Sequence, residues 1–292
     1  MKERIDPLIA ERAAWLFADT AHARFCRGVL MRVLGYGRTI AIAEHLEHRP
    51  TQEIMAMMGA ILAHDVDVTG LEHVPKEGPA LIVANHPTGV ADGIMLHYAL
   101  ARVRRDVFVY ANSDILRVLP QMDDLIVPVE WRVEKRTHAK TRETMAQTRK
   151  ALEDGQLGVI FPAGRLAKRR GLKLFERDWM PSAAMIARKF DVPVIPVNIR
   201  ARNSALFYLF DRIHPSLRDI TLFYETLNKD RQPFRLRVGK PIAPASLPVR
   251  SDDAIEELRR RTLALGGPEA PTVSLVDNSR PVGWLRRTFA LG

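Results

Sequence analysis

The sequence predicts an α/β fold, a mostly parallel central sheet flanked by helices and preceded by an N-terminal helical region. Three observations carry that reading. From Asp65 onward, short apolar runs alternate with amphipathic stretches, the pattern that strand–helix–strand units produce. Several of those runs, such as Leu81-Ile82-Val83-Ala84 and Gly158-Val159-Ile160-Phe161, are continuously apolar, as strands covered on both faces are. Finally, 47% hydrophobic residues in a chain of 292 supply a substantial core and exclude a disordered chain.

Taken in order, Leu8, Ile9, Trp15, Leu16, Phe25, Val29 and Val33 recur at near-helical intervals, which predicts one or two helices over residues 8–48. Gly35-Tyr36-Gly37 breaks or bends that run. Pro50-Thr51-Gln52-Glu53 opens a Met-rich helix over 53–64 with Thr51 as N-cap. Met55, Met57 and Met58 read first as core packing against the sheet, with an adaptable acyl-chain or membrane contact as the alternative. Residues 65–69 alternate polar and apolar like a half-exposed edge strand. Strand 81–84, helix 90–104 and strand 107–110 follow. Pro128 makes 126–129 a strand end or site loop. A basic helix at 138–153, strand 158–161 and helix 182–190 come next. In Pro193-Val194-Ile195-Pro196-Val197 the two prolines assign the strand to an edge or groove lining. Further strands are expected at 222–224 and 236–238, then a charged helix at 252–265. The tail is loop up to Trp284-Leu285-Arg286-Arg287-Thr288-Phe289, a short basic amphipathic anchor or a docked terminal segment. The domains are therefore 1–64, helical; 65–265, α/β; and 266–292, tail.

A formal charge of +10 implies an anionic partner: nucleic acid, anionic lipid, or an acidic carrier or cofactor. Cys26 alone permits no intramolecular disulfide and reads as a small buried hydrophobe. Charges interrupt the N-terminus, so no secretory signal is expected, and no apolar run reaches the ~18 residues of a membrane span. Glu44, His45, Glu47 and His48 lack metal-ligand spacing and read as a solvated helix end. The basic stretch Trp131, Arg132, Lys135, Arg136, Lys140 and Arg142 carries no nucleic-acid motif, and no nucleic acid is expected.

Two strand ends carry the chemistry. The buried run at 81–84 stops at Asn85-His86-Pro87-Thr88-Gly89, and Asp92 falls in the first turn of the next helix. In open α/β sheets, ligands bind at strand C-termini. A histidine there with a carboxylate on its other nitrogen is the minimal general-base pair; the same two residues also suit plain helix capping. At the second strand end, Phe161-Pro162-Ala163-Gly164-Arg165 precedes Lys168, Arg169, Arg170 and Lys173. A Pro–Gly turn with available N–H groups among cations fits phosphate recognition, or a solvated basic loop.

In this order and spacing, Asn85-His86 with Asp92, Phe161-Pro162-x-Gly164 and 192–197 resemble the glycerolipid acyltransferase family, whose best-known members are the bacterial 1-acylglycerol-3-phosphate acyltransferases. The likeness spans about residues 65–245. It implies an N-terminal helical pair on an α/β domain, His86 as base, Asp92 as its orienting partner, and an acceptor phosphate at the block written FPEGTR in the family. Asn85, Pro87, Thr88, Gly89, Phe161, Pro162, Ala163, Gly164, Arg165 and Lys168 then line the substrate, with Arg132 loosely aligned to an acceptor-side Arg. Three departures stand out. Five residues rather than four separate His86 from Asp92, a form similar to the haemolysin-like branch. Ala163, Arg165 and Leu166 replace the Glu, Thr and following Arg of FPEGTR. The block between these two reads Val127-Pro128-Val129-Glu130-Trp131-Arg132.

The implied activity is O-acyl transfer from acyl-CoA or acyl carrier protein to a lysophospholipid or glycerol-phosphate-like hydroxyl. No bound cofactor and no metal are implied. The enzyme would be peripheral, on the cytoplasmic face of an anionic membrane, attached through the Met-rich helix, the basic face and Trp284 and Phe289. A lyso-aminolipid acceptor, or a non-catalytic basic module for nucleic acid or membrane, are the alternatives.

Overall fold

The computed structural model describes residues 1–130, 137–229 and 232–279. In chain order, helices α1 (Lys2–Arg12), α2 (Ala21–Val33), α3 (Tyr36–Leu46) and α4 (Thr51–Leu62) precede strand β1 (Val66–Thr69). Then come β2 (Ala80–Ala84), α5 (Val90–Leu100), β3 (Val107–Asn112), α6 (Asp114–Val118), β4 (Ile126–Val129), α7 (His138–Glu153) and β5 (Leu157–Ile160). A hairpin of β6 (Lys168–Arg170) and β7 (Lys173–Phe175) leads to α8 (Ser182–Lys189) and β8 (Val194–Arg200). Three short helices, α9 (Ala205–Ile213), α10 (Pro215–Ile220) and α11 (Leu222–Leu227), precede β9 (Phe234–Val238), α12 (Ser251–Ala264) and β10 (Thr272–Ser274).

Seven strands form one sheet in the order β1-β9-β8-β2-β5-β3-β4. Every neighbouring pair is parallel except β8–β9. The small hairpin pairs with β10 in a separate antiparallel sheet. In β2 all five residues are buried, and successive side chains face opposite layers. Ala80, Ile82 and Ala84 join a core with the N-terminal helices and α5, while Leu81 and Val83 face α7, α8 and α12. The N-terminal region is therefore part of the main core: Ile5, Leu8, Leu46, Ile54 and Leu62 are buried in it.

Local details depart from the sequence reading at several points. The N-terminal region holds four helices, with Gly35 at φ 62° turning the chain between α2 and α3, a conformation that favours glycine. Thr51 does not cap α4. It is the first helical residue, and its hydroxyl donates to the Gln121 carbonyl at 2.8 Å. Met55 and Met58 are buried core residues, so a membrane contact through the Met-rich helix is ruled out for these two. Residues 222–224 are not a strand but the start of α11. The proline-bearing strand β8 is interior, between β9 and β2, not an edge. Pro193 precedes the ladder and accepts the Leu81 N–H at 2.9 Å, which by alternation turns Pro196 toward the β9 side. There β9 has ended, and the Gly239 N–H donates to the Pro196 carbonyl at 2.8 Å, so no amide hydrogen is missed. Residues 126–129, expected as a strand end or site loop, form the edge strand β4, a position where Pro128 is tolerated.

Candidate active site

Strands β2 and β5 are register-paired, Val83 opposite Ile160, so the turns that follow them leave the sheet side by side. This pairing brings together segments far apart in sequence. The His86 ring stacks on Phe161 with centroids 4.3 Å apart and planes inclined by 27°. On the other side of β2, Ala84 lies opposite Val197 of β8. Asn85 fastens its turn to that strand through both amide atoms: Nδ2 donates to the Ile199 carbonyl at 2.9 Å, and the Ile199 N–H donates to Oδ1 at 2.7 Å.

The extra residue between His86 and Asp92 is absorbed at Gly89, whose φ of 98° and ψ of −134° lie where a side chain is strained. Asp92, fully buried, is the third residue of α5 and folds its carboxylate back over the turn. Oδ2 accepts the N–H groups of Thr88 at 2.8 Å and Gly89 at 3.0 Å, and Oδ1 accepts the Thr88 hydroxyl. The His86 Nδ1 lies 2.9 Å from the same Oδ2, at ion-pair distance but out of line for a formed hydrogen bond. Such loose alignment is common before substrate arrives. The His86 side chain remains 19% exposed, so the ring is reachable from solvent. The geometry accommodates both readings of the pair: Asp92 caps the helix, and the same carboxylate faces the imidazole. The side chains of Asn85 and Thr88 are bonded to β8 and to Asp92.

The second predicted block also lies here. Gly164, at φ 59°, donates its N–H to the Phe161 carbonyl at 2.9 Å, so that amide closes the turn and is not available for a phosphate. Pro162 and Ala163 are buried, whereas Arg165 and Lys168 are exposed. Arg169 lies over the Tyr208 ring at 5.8 Å, and Arg170 over Phe175 at 5.4 Å. The loop then returns to the histidine, with the Ala167 N–H donating to the His86 carbonyl at 2.9 Å. Arg132, Trp284 and Phe289 lie outside the described residues.

Sequence reasoning missed two groups. Glu176, just past β7, is buried: its Oε2 accepts the His86 N–H at 3.1 Å and its Oε1 the Trp179 indole at 3.0 Å. Burial pushes its carboxyl up to about 7. The acidic residue closing a basic run was the available signal. The second group is buried near α9 and α11, where Lys229 Nζ donates to Glu225 Oε2 at 2.8 Å and the Ser204 N–H to the same oxygen at 2.8 Å. Burial pulls the Lys229 ammonium down, against the opposing pull of Glu225. Among the described residues, no three His, Cys, Asp or Glu side chains are grouped to hold a metal ion.

Residues 65–200, which contain both turns, match the family model described as Acyltransferase. Lyso-glycine lipid O-acyltransferases of Phocaeicola vulgatus and Bacteroides thetaiotaomicron are each 27% identical over 183 residues. Those alignments cover 61% of this chain and 64% and 65% of the two relatives, so this chain spans less than two thirds of their length. The crystal structure of the 1-acyl-sn-glycerophosphate (LPA) acyltransferase PlsC from Thermotoga maritima superposes with a TM-score of 0.48 at 15% identity, over 92% of this chain and 98% of that one. The segment at residues 65–200, with the His86–Asp92 pair near its start, is thus similar to the acyltransferase family.

Proposed function

We propose that this protein moves a fatty acyl group from an acyl thioester, carried on coenzyme A or acyl carrier protein, to a hydroxyl of a lysolipid. The observation that carries the proposal is His86, reachable from solvent, 2.9 Å from a buried carboxylate at the C-terminal end of a central strand. His86 takes the proton of the acceptor hydroxyl while that oxygen attacks the thioester carbonyl. The tetrahedral adduct collapses, the carbon–sulfur bond breaks, and the departing thiolate takes the proton from the imidazolium. Asp92 holds the ring and stabilises its charged form. A thioester is already activated, so no covalent acyl-enzyme is required, and positioning supplies much of the remaining rate.

Two observations bear on the acceptor headgroup. Arg165 and Lys168, exposed on the adjacent turn, favour an anionic group such as a phosphate. The names of the Phocaeicola and Bacteroides relatives, and the absence of the FPEGTR glutamate and threonine, favour a lyso-aminolipid. Membrane contact falls to α2. Phe25, Val29 and Val33 are 71%, 45% and 52% exposed at successive i, i+4 positions, beside Arg24 and Arg32, an apolar stripe with a basic border suited to an anionic bilayer surface. Among the described residues, no helix is long and apolar enough to cross a membrane.

Thiol release from acyl-CoA and acyl carrier protein donors, with phosphate-bearing and aminolipid lyso-acceptors, tests the proposal. Acceptor-dependent release is expected, falling by ~10²–10⁴-fold in His86→Ala with the melting temperature unchanged. Silence of the wild type toward every donor and acceptor class overturns it in favour of a binding module.

A further inference from the structure

His86 is held from two sides, and the mechanism above uses one. Besides the approach of its ring to Asp92, both peptide groups of the histidine are bonded to the segment that follows β5. Its carbonyl accepts the Ala167 N–H at 2.9 Å, and its N–H donates to Glu176 Oε2 at 3.1 Å. The segment is itself braced. Arg177 Nε donates to the Leu166 carbonyl at 2.8 Å, and Arg259 of α12 donates to the carbonyls of Arg177 and Glu176 at 3.1 and 3.2 Å. Trp179, also buried, fixes the other carboxylate oxygen at 3.0 Å.

A buried carboxylate is a costly acceptor for a main-chain N–H when a neutral group would serve, so its presence beside the base calls for a role. We propose that Glu176 is a positioning residue for His86: by accepting the histidine N–H it sets the angle at which the imidazole meets Asp92. The groups facing this carboxylate are His86 and Asp92 from the turn after β2, the Trp179 indole, and Arg259 on the adjoining main chain. Burial places its titration at about 7, so the hydrogen bond and the local charge change together near neutrality. Glu176 touches no reacting atom in this scheme. It acts through His86, and the kinetic arm of its test rests on the acyl-transfer reading.

The experiment combines turnover with the amide resonance of His86 in ¹⁵N-histidine-labelled full-length protein, for wild type, Glu176→Gln, Glu176→Asp and Trp179→Phe. In the wild type the His86 amide proton should move with a midpoint about 7. In Glu176→Gln the movement should vanish, because glutamine does not titrate and presents an NH₂ to one of the two donors. Its kcat should fall on the order of 10- to 100-fold with KM little changed, and Glu176→Asp should recover part of the loss. Should the glutamine variant not fold, Trp179→Phe removes one hydrogen bond from the carboxylate and should raise the amide midpoint. An amide that does not titrate, or a folded Glu176→Gln with wild-type kcat, overturns the proposal. If the wild type releases no thiol with any donor, the acyl-transfer reading fails, and the amide titration still decides separately whether Glu176 holds His86.

Discussion

The turns after β2 and β5 leave neighbouring parallel strands at the same edge of the sheet and are built in opposite ways. In the first, Asn85, Thr88 and Asp92 are 2%, 2% and 0% exposed, and their polar groups bond to one another or to β8. In the second, the buried part is Pro162-Ala163 beside Phe161, while Arg165 and Lys168 are exposed. A closed, buried network permits one geometry, and losing a member leaves others unpaired. Exposed cations on a turn adapt to a ligand and contribute little to stability. On the proposed reading, one edge thus separates two needs of a transferase: a base with a fixed direction, and an exposed recognition surface.

The strongest way to break that contrast is Asp92→Ala. It strands the N–H groups of Thr88 and Gly89 and the Thr88 hydroxyl in the interior, with an expected loss of about 3–5 kcal/mol in denaturant unfolding. An unchanged midpoint would show that the first turn is not the rigid unit described. Next in size is the effect of pH through Glu176, which joins the two turns. Its folded carboxyl keeps its proton up to about 7, whereas the unfolded group loses it near 4.5. Unfolding between those values releases a proton, so stability falls as pH rises from about 4.5 to about 7 and then levels, by up to about 3 kcal/mol. Glu176→Gln should flatten that slope in thermal melts at a series of pH values. Smaller again is Gly89→Ala: the φ of 98° and a new Cβ 3.2 Å from Leu166 Cδ2 predict about 1–3 kcal/mol of destabilisation. A neutral outcome would mean that the turn relaxes and the His86–Asp92 approach is softer than drawn.

The sequence made the first turn legible because its parts are close together: an apolar run, a polar break, and an acid in the following helical turn. The second turn was legible as a motif, but its contact with the first depends on the β2–β5 register, which no local pattern states. Glu176 was not legible. One acid after Lys168, Arg169, Arg170 and Lys173 reads as surface charge balance, and only the return of that loop onto the histidine buries it. The errors at β8 and α11 have the same origin. Pro196 argues for an edge if every strand amide is assumed to need a partner, yet it lies where β9 has already ended. In Leu222-Phe223-Tyr224 the apolar run is too short to show its period, so strand and helix look alike.

The smallest effect expected on stability is also the one that divides the acceptor classes. Arg165→Ala and Lys168→Ala change exposed side chains, so unfolding midpoints should stay within about 0.5 kcal/mol of wild type. Their kinetic effect depends on the headgroup. With an acceptor phosphate gripped at this turn, removing one charge-assisted contact should raise the acceptor KM by about 10-fold or more, leave kcat nearly unchanged, and weaken further as salt is added. With a lyso-aminolipid held elsewhere, KM for that acceptor should move by less than about 3-fold. The donor is the internal control. If KM rises for acyl-CoA or acyl carrier protein and not for the acceptor, these cations hold the donor's phosphates or acidic surface. A fall in kcat with KM constant would instead mean that the second turn takes part in placing His86, and the separation between the two turns would not hold.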